Sequence, residues 1–375
     1  MTDPADRPLR VLIAGGGTGG HLYPGIAVAE AIAAAGGEVS FVGTERGLET
    51  RLIPQAGFPL ELMKVSGLKR MGLAAFLRGL GRLPGAFLES RRILRRRRPD
   101  VVLGVGGYAS GPLVLTAALS GIPTAIQEQN SVPGFTNRVL GRFARRVFVA
   151  FEDAAPAFAG RKVRFTGNPV RRSLIERAAA LGAQPPPAGG SVLILGGSQG
   201  SHAVNELASG MVRVLDARGR LPPIVHQTGP DEVERMKVHY AAFGYDGLGR
   251  VRVQPFIDDM PAALADAALV VARAGALTLA ELAIMRRPAI LIPLPTAADD
   301  HQTVNAYAFQ RAGAAVLLPQ ADASATRLGD LVDEILGAPE RHNEMAAAMA
   351  TMARTTATQD VVAELGAIAR RRAAK

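Results

Sequence analysis

The chain has 375 residues, 48% of them hydrophobic and 5% aromatic, with no Cys, no Trp and a formal net charge of +10. That length suits about two domains, and the lack of Cys excludes a disulfide framework, a thiolate metal site and a Cys nucleophile. Scarce aromatics argue against a stacking platform for single strands, and no zinc-finger, RNA-recognition or basic-zipper spacing accompanies the charge, so nucleic acid is not an expected partner.

The first ten residues are polar and lack the apolar run of a signal peptide. No apolar stretch reaches the ~20 residues that span a bilayer, so the expectation is a soluble protein, at most peripheral to a membrane. Residues 11–14 read as a strand, 24–35 as a helix and 39–42 as a second strand. A long basic helical region, 73–98, precedes strands at 101–105, 124–127 and 147–150. A helix near 173–180 and the turn-rich stretch 184–190 follow, and the scheme then repeats. Strands of the second half are 192–195, 224–227, 251–255, 269–272, 289–292 and 315–318, ahead of an Ala-rich basic tail. Continuous apolar runs of this kind are buried on both faces in parallel sheets, with helices as crossovers.

Two glycine-rich turns lie half a chain apart, each after a strand and before a helix. The first is Gly15-Gly16-Gly17-Thr18-Gly19-Gly20-His21 and the second Gly196-Gly197-Ser198-Gln199-Gly200-Ser201. Such turns offer backbone N–H groups and a positive helix end to an anion. Two of them suggest paired doubly wound domains with phosphates between them. Gly15-x-Gly17-x-x-Gly20 also fits a dinucleotide fingerprint, with Glu45 as the ribose acid, so a dehydrogenase is one alternative. A basic scaffold without turnover is another.

Several side chains at strand ends could carry chemistry. His21 sits where a helix end favours a neutral imidazole able to take a proton, although a capping or packing His is the plainer reading. Glu128-Gln129-Asn130 follow a strand and either meet a ligand or cap the next helix. The loop Gly106-Gly107-Tyr108-Ala109-Ser110 has the small residues that admit a second anion. After the strand at 269–272, Gly275 permits a tight turn, Thr278 suits a helix start, and Glu281 could hold ribose hydroxyls or simply oppose the helix dipole. Asp299, Asp300, His301, Gln302 and Asn305 form a polar helix start. No Asp-x-Asp is present, which argues against a metal-dependent nucleotide-sugar site of that kind; no metal site or cofactor is expected. Leu73, Phe76, Leu77 and Leu80 recur at helical spacing among Arg78 and Arg82, a pattern that fits either core or an interfacial helix on anionic lipid.

Taken in order, Gly16-Gly17-Thr18-Gly19-Gly20-His21, Gly106-Gly107-Tyr108 with Ser110-Gly111-Pro112, Glu128-Gln129-Asn130, Gly167-Asn168-Pro169-Val170-Arg171, Gly196-Gly197-Ser198-Gln199-Gly200 and Gly275-Ala276-Leu277-Thr278 with Glu281 resemble one family. It is the peripheral N-acetylglucosaminyltransferases of peptidoglycan synthesis, glycosyltransferase family 28. The resemblance implies a GT-B fold, two doubly wound Rossmann-like α/β domains facing across a cleft. It implies inverting transfer of N-acetylglucosamine from UDP-N-acetylglucosamine to the 4-hydroxyl of the muramyl sugar of lipid I, giving lipid II and UDP. Residues 8–167 would bind acceptor and membrane and 168–340 the donor, with 341–375 a C-terminal helix packing back on the first domain.

Donor contacts carried over are Thr18, Gly19, Gly20, Asn130, Arg171, Ser198, Ile257, Ala276, Leu277, Thr278, Leu279, Ala280, Glu281 and Gln302. In that picture Ile257 meets uracil through its backbone. Gly16, Gly17, Gly107, Tyr108 and Ser110 would take the acceptor, with His21 the favoured base and Glu128 the second candidate. The implied setting is the cytoplasmic face of the plasma membrane, on anionic lipid, with cell-wall synthesis or division proteins as partners. No docking motif for them is readable. The chain departs from its relatives at Ala109, Ala297-Ala298 and Asp300-His301-Gln302, near the donor-sugar contacts.

Overall fold

The computed structural model describes residues 7–45, 47–64, 73–107, 109–245 and 249–373, and within them the side chains of 73–83 and 372–373 lie outside the description. The chain divides into two compact units, the first made of residues up to 171 together with 356 onward, the second of 172–355.

The first unit is a parallel sheet of seven strands. In chain order they are β1 Arg10–Gly15, β2 Glu38–Thr44, β3 Leu60–Met63, β4 Val101–Gly106, β5 Thr124–Glu128, β6 Arg146–Val149 and β7 Val163–Phe165. Helices α1 Gly19–Ala34, α2 Glu49–Gln55, α3 Leu73–Arg97, α4 Ser110–Leu119 and α5 Phe135–Leu140 supply crossovers. The spatial order is β3-β2-β1-β4-β5-β6-β7. Successive residues of β1 and β4 are apolar because each face of the sheet has its own core. Val11, Ile13 and Leu103 pack with Leu22, Val28 and Ile32 of α1, whereas Leu12, Ala14 and Val102 pack with Ile93 of α3 and Leu113 of α4.

The second unit repeats this plan. Its elements run α6 Arg172–Leu181, β8 Ser191–Leu195, α7 His202–Ala217, β9 Ile224–Gln227, α8 Val233–Ala241, β10 Val251–Gln254, α9 Met260–Asp266 and β11 Ala267–Ala272. They continue with α10 Ala276–Met285, β12 Ala289–Leu291, α11 His301–Arg311, β13 Ala315–Leu317, α12 Ala325–Leu336 and α13 Pro339–Thr351. The strand order is β10-β9-β8-β11-β12-β13, again parallel. In both sheets the order reverses beside the first strand, between β1 and β4 and between β8 and β11. Loops leaving those strands diverge, and ligands of doubly wound sheets bind there. Each glycine turn follows one of these strands.

Two edge strands, β3 and β7, were not anticipated: their short runs, Leu-Glu-Leu-Met and Val-Arg-Phe, alternate with charge as half-buried edges do. The first helix begins at Gly19 and carries Pro24 inside it, so His21 lies in its first turn. Residues 341–375, read as one tail, are two helices with different homes. α13 lies against α10 and α12 of the second unit. α14, Ala357–Ala373, lies against α1 of the first, with Val361, Leu365 and Ile368 buried in that core.

Leu365 is fully buried. Leu365→Ala should lower the stability of the first unit by about 2–5 kcal/mol. Denaturant-dependent hydrogen exchange checks this: β1 and β4 should lose protection while β8 and β11 keep it, and equal loss in both sheets would contradict the packing.

Candidate functional site

At the carboxyl ends of the first sheet, the two glycine loops interlock. A Cβ at Gly107 would overlap the backbone of Gly16, and one at Gly106 would lie 2.7 Å from His21 Nδ1, so the imidazole rests on the loop after β4. His21 Nδ1 is 3.2 Å from Gln129 Oε1. The Gln129 amide is oriented by its Nε2, which donates to the Val105 carbonyl at 2.9 Å. Its oxygen therefore accepts from Nδ1–H, which puts the lone pair of the neutral ring on Nε2. That tautomer is the one a general base needs if Nε2 is to take the proton.

Glu128 has another role. Its Oε1 accepts from Asn130 N–H at 3.1 Å, and its Oε2 from Gly134 N–H at 3.1 Å and Asn137 Nδ2 at 2.8 Å. The carboxylate is buried. It organises the loop between β5 and α5, so it supports the site without being placed to take a proton. Ser110 is likewise buried, its hydroxyl donating to the Ala14 carbonyl at 2.6 Å with the Gly106 carbonyl at 2.9 Å. It ties β1 to β4 and does not face an acceptor. The Gly17 N–H points inward, donating to Glu49 Oε2 at 2.9 Å. Thr18 and Gly20 are exposed and Gly19 is buried within the same turn. Asn130 is half-buried, and the Arg171 guanidinium stacks on Tyr23 of α1, 5.1 Å from the ring centre. Tyr108 lies outside the described residues.

In the second unit, Ser198 is exposed at the tip of its turn, three residues before Ser201, which precedes α7. Gln227, at the end of β9, holds this turn to its neighbour: Nε2 donates to the Gly197 carbonyl at 2.9 Å, and Oε1 accepts from Ile257 N–H at 3.2 Å. The Ile257 N–H is thus engaged within the second unit. Gly275 precedes α10, so Thr278 falls in the first turn instead of before it. Ala276 and Leu279 are buried, Leu277, Thr278 and Ala280 half-buried, and Glu281 is buried in the following turn. Gln302 Oε1 accepts from Leu294 N–H at 3.0 Å.

Arg273 and Gln227 were missing from the residues proposed to touch the donor. The Arg273 guanidinium is buried and bonds the Ile292 and Pro293 carbonyls at 3.1 and 2.9 Å, Ser201 Oγ at 2.8 Å and Gln320 Oε1 at 2.7 Å. All four acceptors are neutral, so none of these bonds cancels the positive charge beneath the second turn. Burial lowers its pKa without removing that charge at neutral pH. The signal for both was their place at strand ends: Arg273 just after β11, at the reversal, and Gln227 at the end of β9, beside β8.

The family 28 N-terminal domain model matches residues 11–149, and the family 28 C-terminal domain model matches 191–361. The chain belongs to glycosyltransferase family 28. A family member from Anaeromyxobacter sp. (strain Fw109-5) is 49% identical, with 97% of this chain and 94% of the relative covered. One from Myxococcus xanthus is also 49% identical, over 94% of this chain and 91% of the relative. Both are named UDP-N-acetylglucosamine--N-acetylmuramyl-(pentapeptide) pyrophosphoryl-undecaprenol N-acetylglucosamine transferase. The crystal structure of Acinetobacter baumannii MurG is similar with a TM-score of 0.74 at 33% identity, covering 96% of this chain and 99% of that one. The fold is GT-B. A UDP-N-acetylglucosamine 2-epimerase from Neisseria meningitidis, at 12% identity, 95% of this chain and 99% of that one covered, and TM-score 0.65, shares the fold alone.

Beside the second turn, the family 28 C-terminal domain buries His226 completely. Asn205 Nδ2 donates to the Thr228 carbonyl at 3.0 Å and to Glu232 Oε2 at 2.5 Å, so its oxygen accepts from His226 Nε2–H at 3.1 Å. Tyr240 donates its hydroxyl to Nδ1 at 3.0 Å. Burial pushes the imidazole down to about 3, against the opposing charge of Glu232. The unfolded chain therefore takes up a proton below the ordinary value of 6.5 that the folded chain refuses. Stability of this domain should be complete above pH 6.5 and fall on acidification, by up to about 1.4 kcal/mol per pH unit from this group. Desolvation of Glu232 is outweighed by hydrogen bonds from His202, Asn205 and Arg235 that hold it down to about 2, so it adds to this loss of stability only below its ordinary 4.5. Denaturant titrations of the wild type and His226→Gln at pH 7.5, 6.5, 5.5 and 4.5 test this. The variant should be less stable at pH 7.5 and show a flatter pH dependence, and an unchanged slope would place the sensitivity elsewhere.

Proposed function

We propose that this protein is an inverting glycosyltransferase that moves N-acetylglucosamine from UDP-N-acetylglucosamine to the 4-hydroxyl of the muramyl sugar of lipid I, releasing lipid II and UDP. The observation that carries the assignment is near-full-length identity of 48–49% to relatives named for that transfer. Chemistry at the two strand reversals supports it.

Inversion is one displacement. The acceptor hydroxyl gives its proton to His21 Nε2 as its oxygen bonds the anomeric carbon. The bond from that carbon to the diphosphate breaks, and the electron pair leaves with UDP. Gln129 Oε1 remains hydrogen-bonded to Nδ1–H while the ring becomes an imidazolium. On the leaving side, N–H groups of the turn 196–200, the exposed Ser198 hydroxyl and the charge of Arg273 meet the developing negative charge. Glu281 accepts from the ribose hydroxyls, the Ile257 carbonyl meets the base, and Ala276–Ala280 line the path between them. Gln302, Arg171, Asn130 and the N–H groups of Thr18, Gly19 and Gly20 complete the donor contacts. Gly16, Gly107 and Tyr108 border the acceptor.

The acceptor's lipid sets the location. No helix among the described residues is long and apolar enough to cross a membrane. The stripe of Leu73, Phe76, Leu77 and Leu80 with Arg78 and Arg82 begins α3, and its pattern supports docking on an anionic membrane surface. The side chains of these residues lie outside the description. Exposed Leu88 and Arg91 continue the same helix, while Arg96 and Arg97 are ion-paired to Glu61.

Acceptor-dependent UDP release, assayed with a lipid I analogue in EDTA, should persist. Release only with another acceptor would overturn the peptidoglycan assignment. His21→Ala should lower kcat by about 10²-fold or more, in the range of general bases; an unchanged kcat would remove it from that role. Phe76→Ser with Leu80→Ser should remain folded and stop co-sedimenting with phosphatidylglycerol vesicles. A misfolded double variant would show instead that the stripe is core.

A further inference from the structure

Glu49 belongs to none of the motifs above, yet its surroundings are specialised. It is the first residue of α2, and its side chain is completely buried. Oε1 accepts from Thr44 N–H at 2.8 Å and from the Thr44 hydroxyl at 2.6 Å, while Oε2 accepts from Gly17 N–H at 2.9 Å. Three glycines make room for it. A Cβ at Gly16, Gly43 or Gly47 would overlap the Glu49 side chain. These come from the turn after β1, the end of β2 and the loop before α2, so three separate stretches of backbone close around one carboxylate. Burial alone would push the carboxyl up; hydrogen bonds from Thr44 and Gly17 outweigh it and hold it below the ordinary carboxylate value.

The opposite side of the turn completes the connection. Gly16 is pressed between Glu49 and Gly107, and the neighbouring Gly106 is the surface on which the His21 ring rests. Contacts therefore run without a gap from the carboxylate, through Gly16 and Gly17, to the loop after β4 and the imidazole. Among the described residues, the other charged groups near this end of the sheet face elsewhere. Glu128 is held by Asn130, Gly134 and Asn137, Glu45 is exposed beyond β2, and Arg171 lies over Tyr23 with Glu30 on the same helix.

We propose that Glu49 is a positioning residue for His21: it sets the first glycine turn against Gly106 and Gly107, and so keeps Nδ1 on Gln129 with the lone pair on Nε2. This rests on the reading of His21 as the base. A second consequence concerns anions at this turn. The Gly17 N–H is already taken by a carboxylate, so a phosphate here must be bound by the N–H groups of residues 18–20. The buried negative charge also opposes the positive end of α1, which favours the imidazolium that forms as the proton is taken up.

Glu49→Gln keeps the shape but turns an NH2 toward one of the present donors. Thr44→Val removes one donor and leaves the carboxylate in place. The measurements are kcat, donor KM, and ring 15N chemical shifts of His21 in the free protein, assigned by the signal lost in His21→Ala. Glu49→Gln should lower kcat by about tenfold or more, with any rise in donor KM smaller than the fall in kcat, since small misplacement of a catalytic group costs rate and most donor contacts lie in the other domain. Its His21 ring shifts should move from one tautomer toward the average of two. Thr44→Val should do the same more weakly, with a loss of about threefold. Placed in the His21→Ala background, Glu49→Gln should cost no more than about a further twofold.

Folded Glu49→Gln with wild-type kcat, unchanged His21 ring shifts or a full additional loss in the His21→Ala background would each overturn the proposal. If Glu49→Gln does not fold, the Thr44→Val shifts decide. A His21→Ala protein with normal kcat would defeat the base reading alone, and the ring shifts would still report whether Glu49 positions His21.

Discussion

Parallel pairing of β1 with β4, and of β8 with β11, is the constraint on which everything else in this molecule rests. A strand flanked on one side by its successor and on the other by a later arrival sends its outgoing loop one way while its neighbour's loop goes the other. Backbone N–H groups there have no strand or helix to bond, and glycine lets the chain turn without a side chain in the gap. Both units use the device at the same point in the strand order. The two sheets are thus one solution used twice, and their chemistry differs through what lies beneath each turn.

Those foundations carry opposite charge. Beneath the first turn is the Glu49 carboxylate, beneath the second the Arg273 guanidinium, and each is buried among neutral hydrogen-bonding groups. Neither has its charge cancelled by a buried partner of opposite sign among the bonds described. An isolated buried ion is costly, and such groups concentrate where a field is needed. The first field favours a growing positive charge, the second a growing negative one. In the displacement proposed above, the first of these charges suits proton uptake at His21 and the second suits the departing diphosphate.

Much of this was legible in the chain. Every interior strand announced itself, because a strand buried on both faces has no polar alternation to blur it. The edge strands Val251–Gln254 and Ala315–Leu317 were readable too, but Leu60–Met63 and Val163–Phe165 were not, since their charged, exposed positions look like loop. The glycine turns and His21 were readable from type and spacing. The tautomer of His21 was not, because it depends on Gln129 and Val105, more than a hundred and about eighty residues away in sequence. Ser110 and Glu128 looked like ligand contacts because a polar residue at a strand end reads identically whether it faces a substrate or a carbonyl. Glu49 escaped notice for the opposite reason: its oxygens accept from two backbone N–H groups and the Thr44 hydroxyl, which leave no complementary charge in the sequence.

The return of α14 to the first unit has a bearing on how the protein is made. The first core is discontinuous in the chain, and Val361, Leu365 and Ile368 arrive only after the whole of the second unit has been synthesised. On a ribosome that delivers the chain from its N-terminus, the second unit can complete its core while α1 still has one apolar flank bare. The domain begun first is therefore finished last. During that interval the growing chain exposes an apolar surface of α1, and α14 serves as the closing piece of a domain started some three hundred and fifty residues earlier.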